Sequence, residues 1–188
     1  MAELLLFHHA QGLTAGVHAF ADELSAAGHV VHTPDLYEGR TFSDLDDGVA
    51  HAQEIGFPTV IERGRRAAED LPNAIVYAGF SLGVMPAQLL AQTRSGARCA
   101  VFLHAAAEPS DFGGTWPPGL PLQSHTMEDD DWGDVDIASE LAATIDGAEL
   151  FLYPGDEHLF TDNSLPAYDK KAAAQVEQRV LRVLETVG

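Results

Sequence analysis

Short apolar runs rich in β-branched and aromatic residues alternate along this chain with longer segments whose apolar positions recur at helical spacing. The first run, residues 4–9, leads into residues 14–27, where Val17, Phe20, Ala21 and Leu24 fall at i, i+3, i+4 and i+7, one face of a helix. Gly28 ends that helix, and residues 29–33 form a second short strand stopped by Pro34. The same pattern predicts strands over residues 74–78, 99–105, 121–126 and 148–153, and helices over 43–55, 58–69, 84–92, 135–145 and 168–187. Alternation of this kind implies parallel strands joined by helical crossovers, with helices on both faces of the sheet. The expected architecture is therefore α/β, a three-layer α/β/α sandwich around a mostly parallel central sheet. Residues 108–119, with Pro109, Gly113, Gly114, Pro117, Pro118 and Gly119, form a loop. No repeat, low-complexity tract or linker divides the chain, so residues 1–188 are read as a single domain.

Composition narrows the function classes. With 29 acidic residues against 10 Lys and Arg, the formal charge is −19. Nucleic-acid binding draws much of its affinity from cations that neutralise phosphates, and an anionic membrane surface repels this chain for the same reason. Neither a nucleic acid nor a membrane is an expected partner. The apolar stretch Leu4 to Phe7 is too short for a signal peptide or a span. The single cysteine, Cys99, agrees with a reducing compartment, so the expected location is cytoplasmic.

The strand at 74–78 runs into Gly79-Phe80-Ser81-Leu82-Gly83 and then into a helical pattern. This is G-x-S-x-G in the strand, turn, helix context that lifts a serine hydroxyl above the sheet. Leu82, the residue after the serine, is placed to give one oxyanion-hole N–H. Serine needs a base and the base needs an acid, in the chain order Ser, acid, His on such a fold. Among His104, His125 and His158, only His158 follows the last strand. The acid should follow the strand at 121–126, where Glu128, Asp129, Asp130 and Asp131 all stand open as candidates or as a merely solvated run.

These segments resemble the dienelactone hydrolase family of α/β-hydrolases over nearly the whole chain. The resemblance is carried by Leu4 to His9, Thr33-Pro34-Asp35-Leu36-Tyr37, the Ser81 motif and Tyr153-Pro154-Gly155-Asp156-Glu157-His158-Leu159-Phe160. It implies an α/β-hydrolase fold, no cofactor, and a triad of Ser81, His158 and Asp130, the last being the aspartate of the family's G-x-x-D stretch with Met127 in place of glycine. It further implies Ala10 as the second oxyanion N–H and His9 in place of a glutamate that touches the nucleophile. His9 and Tyr37 then become substrate-binding candidates, each equally open to a packing role. Two departures bear on chemistry. The founding type uses cysteine where this chain has Ser81, and Cys99 reads as a small buried hydrophobe. Family members that cleave dienelactone hold its carboxylate with arginines, one of them four residues after the histidine; here that position is Asp162, which implies a neutral small-molecule ester or lactone as substrate.

Two other classes remain in view. Parallel strands bring His8 or His9, His104, His125 and His158 to one sheet edge, where with Asp130 they could ligate a metal, although no local ligand pair such as H-x-x-x-H supports that. A binding protein on a silent hydrolase scaffold is the other. The role of His8 and the oligomeric state are open from the sequence.

Overall fold

The six apolar runs become strands β1 (Glu3–Phe7), β2 (Val30–His32), β3 (Val76–Phe80), β4 (Cys99–Leu103), β5 (Leu122–Met127) and β6 (Glu149–Tyr153). In the computed structural model, which describes residues 1–188, they pair in the order β2-β1-β3-β4-β5-β6. Every pairing is parallel. The sheet thus goes beyond the expected mostly parallel one.

Side chains of successive strand residues point to opposite faces, and here both faces are covered. Leu4 and Leu6, with Val76, Ala78 and Phe80, belong to one core, packed under helices α1 (Ala15–Ala26) and α6 (Lys170–Val187). Leu5 and Phe7, with Ile75 and Tyr77, belong to the other. That second core lies under α2 (Leu45–Ile55), α3 (Phe57–Ala67), α4 (Val84–Thr93) and α5 (Val135–Thr144). The result is the three-layer α/β/α sandwich. Central strands buried on both sides read as continuous apolar runs, which is why they were conspicuous. Cys99 lies in the first core, its thiol pushed up to about 12 chiefly by burial, so it is not a nucleophile.

Helix starts fall at side chains that cap them. The Thr14 hydroxyl accepts from the Val17 N–H, and the Asp44 and Asp169 carboxylates accept N–H groups of α2 and α6. These caps explain why the helices begin one or two residues inside the periodic segments. The strands expected to reach His9 and Ala105 stop at Phe7 and Leu103. Both segments turn there, and His104 takes φ +66°. The loop at 108–119 contains a short 3-10 turn, Pro109–Phe112. No helix is long and apolar enough to cross a membrane.

From β1 the chain first steps outward to β2, then returns on the other side of β1 to make β3. That reversal leaves a crevice beyond the carboxyl ends of β1 and β3, where open α/β sheets place their ligands.

Candidate active site

Ser81 follows β3 at that crevice and takes φ +48°, a left-handed conformation that costs a non-glycine residue about 1 kcal/mol or more. The flanking glycines make the turn feasible. A Cβ on Gly79 would stand 2.2 Å from the Gly83 carbonyl oxygen, and one on Gly83 would stand 2.5 Å from the Phe7 oxygen. The start of α4 therefore rests directly on the end of β1. Leu82 lies in the 3-10 turn before α4, where N–H groups precede the first intrahelical acceptor.

His158, in the loop after β6, brings Nε2 to 2.8 Å from the Ser81 Oγ. Its Nδ1 lies 2.8 Å from Oδ2 of Asp130. A carboxylate can only accept, so Nδ1 carries the proton and Nε2 presents a lone pair to the serine hydroxyl. Asp130 is itself held: its Oδ1 accepts the Trp132 backbone N–H at 2.9 Å. Asp130 is buried, whereas Asp129 and Asp131 are exposed. The three residues expected to act together are thus brought together, with only one member of the acidic run in contact with the imidazole.

The remaining expectations fare differently. Ala10 is buried just past β1, and its N–H meets no backbone or side-chain acceptor. His9 is corrected: its ring is fully buried, with Nε2 donating to Asp162 at 2.8 Å and Nδ1 accepting the Gln11 N–H at 3.2 Å. No face of it is left for substrate. Tyr37 is corrected for the same reason, being buried with its ring edge-on to His8 and His51. Asp162 is corrected too. It is buried in a hydrogen-bonded network behind the site, not facing substrate.

The other histidines do not converge. His8 bonds the His9 carbonyl and the Leu36 N–H. His125 is bonded to Gln123 and to the Tyr153 hydroxyl. His104 sits beneath His158 with ring centres 5.9 Å apart, bonded through Nε2 to the Thr161 hydroxyl. Burial holds its pKa well below the ordinary histidine value. No group of three His, Cys, Asp or Glu side chains forms a metal-holding cluster.

A cleft of about 540 Å³ opens beside the His158 ring. Its lining includes Asp44, Asp129, Asp131, Asp156 and Glu157, and no Lys or Arg. Trp132, half exposed, places its ring 6.4 Å from that of His158 on the same wall. Sequence reasoning missed this tryptophan, although an isolated aromatic inside an acidic loop was the available signal. A second cleft, of about 610 Å³, lies between the 108–119 loop and α5 and touches no triad member.

The model of the dienelactone hydrolase family matches residues 3–188. The chain belongs to the dienelactone hydrolase family. Comparison of the sequence with curated proteins finds no match. Solved structures share the fold of this family member at low identity. A dienelactone hydrolase-like promiscuous phosphotriesterase from metagenomic libraries superposes with TM-score 0.75 at 16% identity, covering 100% of this chain and 87% of that one. Dienelactone hydrolase from Anabaena variabilis gives 0.69 at 14%, covering 100% and 87%. Esterase 2 of Thermogutta terrifontis, phosphoramylated by tabun, gives 0.63 at 16%, covering 100% and 83%. The family and these neighbours are hydrolases on an α/β-hydrolase fold.

Proposed function

We propose that this family member is a serine hydrolase that cleaves a small ester or lactone, neutral or at least not anionic, by acyl transfer through Ser81. The observation that carries this is the continuous hydrogen-bonded chain from Ser81 Oγ through His158 to Asp130, both links at 2.8 Å. The Ser81 oxygen attacks the carbonyl carbon while His158 Nε2 takes its proton. The resulting imidazolium, stabilised by Asp130, returns that proton to the leaving alkoxide. Water then repeats the sequence on the acyl-enzyme. The N–H groups of Leu82 and Ala10 are the donors for the oxyanion, which accumulates charge only as the tetrahedral state forms.

Substrate charge follows from the cleft. With Asp162 buried away from it, the preference rests on the five carboxylates that line it. In a water-like dielectric each of these raises the energy of an anion 7 Å away by roughly 0.6 kcal/mol. Several acting together disfavour a carboxylated substrate such as dienelactone.

The test is a fluorophosphonate probe followed by peptide mapping, beside a panel of neutral and carboxylated esters and lactones. Labelling of Ser81, with turnover of neutral esters, is expected. Chelator-sensitive turnover without labelling would point to metal-dependent hydrolysis, and ester binding without turnover to a silent scaffold.

A further inference from the structure

Behind the site lies a polar network that the mechanism does not use. Asp162, four residues after His158, accepts from His9 Nε2 at 2.8 Å, the Thr14 hydroxyl at 2.5 Å, and the Ser164 N–H and hydroxyl at 2.8 and 2.6 Å. It is packed so closely that a Cβ on Gly16 would fall 1.7 Å from its Oδ1. Burial pushes its pKa up, but the hydrogen bonds from His9, Ser164 and Thr14 prevail and hold it near 2. It is a fixed anion.

The other end of the network is the turn that carries Ala10. His9 accepts the Gln11 N–H at Nδ1, so its proton is on Nε2, toward Asp162. His8 takes the opposite tautomer. Its Nε2 accepts the Leu36 N–H at 2.9 Å, and its Nδ1–H donates to the His9 carbonyl at 2.8 Å. That carbonyl also accepts the Gly12 N–H at 3.0 Å. Two neighbouring imidazoles thus grip residues 9–12 from both sides, and within that turn the Ala10 N–H is left without an acceptor. The segment from His158 to Asp162 carries the base at one end and the anchor of this turn at the other.

We propose that His9 and Asp162 are a positioning pair, which fixes the Ala10 N–H relative to the Ser81 oxygen by tying the turn after β1 to the loop that carries His158. The inference rests on the serine-hydrolase reading. Neither residue touches substrate. A displaced oxyanion donor lowers kcat and leaves ground-state binding nearly unchanged, because the charge it meets exists only in the transition state.

The experiment measures kcat and KM on a neutral ester for wild type, His9→Phe, His9→Gln and Asp162→Asn, with kcat expressed per site titrated by fluorophosphonate. Titration confines the comparison to folded molecules, so a loss of stability alone does not move it. Losing an oxyanion donor outright costs roughly 100- to 1000-fold, and a displaced one should cost His9→Phe about 10- to 100-fold in kcat with KM within about threefold. A tetrahedral boronic acid should lose affinity in the same proportion. His9→Gln, whose amide can still donate toward Asp162, should recover at least a third of the loss on a logarithmic scale. If His9→Phe does not fold, Asp162→Asn and His9→Gln carry the comparison, with Asp162→Asn expected to fall below His9→Gln. Per-site kcat within threefold of wild type in the folded Phe and Asn variants would reduce the pair to a packing role. Absence of both labelling and turnover in wild type would overturn the serine-hydrolase reading instead, and the pair's role with it.

Discussion

Lowering the pH from 6.5 to 4.5 protonates nearly every histidine of an unfolded chain, whose imidazoles titrate near 6.5. The folded chain resists most at three fully buried positions. Burial lowers His8 to about 4 and His125 to about 3, and takes His104 well below its usual value. Burial is the main cause in each case: His8 also has its Nε2 taken by the Leu36 N–H, and His104 lies against the rings of Phe80 and Phe160. A lowered histidine pKa leaves stability intact well above 6.5 and removes it as pH falls toward the folded value. Near pH 5, His8 and His125 leave the unfolded state with about two more protons than the folded one, a slope of roughly 2–3 kcal/mol per pH unit, and His104 acts in the same direction. Integrated from 6.5 to 4.5, the loss from His8 and His125 is about 4 kcal/mol, a large share of the 5–15 kcal/mol typical of a domain. Asp162, held near 2, begins to matter only below the ordinary carboxylate range. Asp134 and Glu177, raised chiefly by burial, bind protons on folding and oppose part of the loss at the acid end. Urea unfolding followed by circular dichroism at pH 7.5, 6.5, 5.5 and 4.5 measures this directly. The free energy should level off only above about 7.5 and fall steeply below 6.5, and His125→Phe should reduce the slope near pH 5 by about 1 kcal/mol per pH unit. A stability that changes by less than about 1 kcal/mol between pH 6.5 and 5 would refute the reasoning.

Further outcomes follow from single contacts. Among Asn substitutions at Asp129, Asp130 and Asp131, only Asp130→Asn should lower ester turnover, by roughly 10³- to 10⁴-fold, because only it orients the His158 ring; steady-state kinetics on the three proteins checks this. Gly83→Ala places a methyl 2.5 Å from the Phe7 oxygen, so α4 must lift off β1. Overpacking of that kind costs about 1–3 kcal/mol, and thermal unfolding together with kcat should show a loss in both. Neutralising Asp129, Asp131 and Asp156 together removes about 2 kcal/mol of repulsion toward an anionic ester. At low salt, kcat/KM for such an ester should rise at least tenfold relative to a neutral one, and the gain should shrink as ionic strength grows.

What could be read from the sequence divides along a physical line. Ser81 and His158 were legible because a parallel sheet delivers every strand end to one side, and because the strained turn at Ser81 leaves a local glycine signature. Both cores were legible for a similar reason: alternate residues of short apolar strands must face opposite covered sides. Asp130 needed the family frame, since four adjacent acids look alike until one is buried against an imidazole. Asp162 was misread as a substrate-facing charge. Two of its partners, His9 and Thr14, come from the far end of the chain, and one-dimensional spacing does not show that a glycine at position 16 makes room for a carboxylate. Tyr37 and the cleft around Trp132 depend on loop paths that carry no periodicity.

Hydrolysis of a neutral p-nitrophenyl ester by wild type and Ser81→Ala, both shown folded by circular dichroism, tests the central claim most directly. The account predicts turnover by wild type and a loss of several orders of magnitude in the alanine variant, as removal of a triad nucleophile produces. Turnover by Ser81→Ala at the wild-type rate would contradict it.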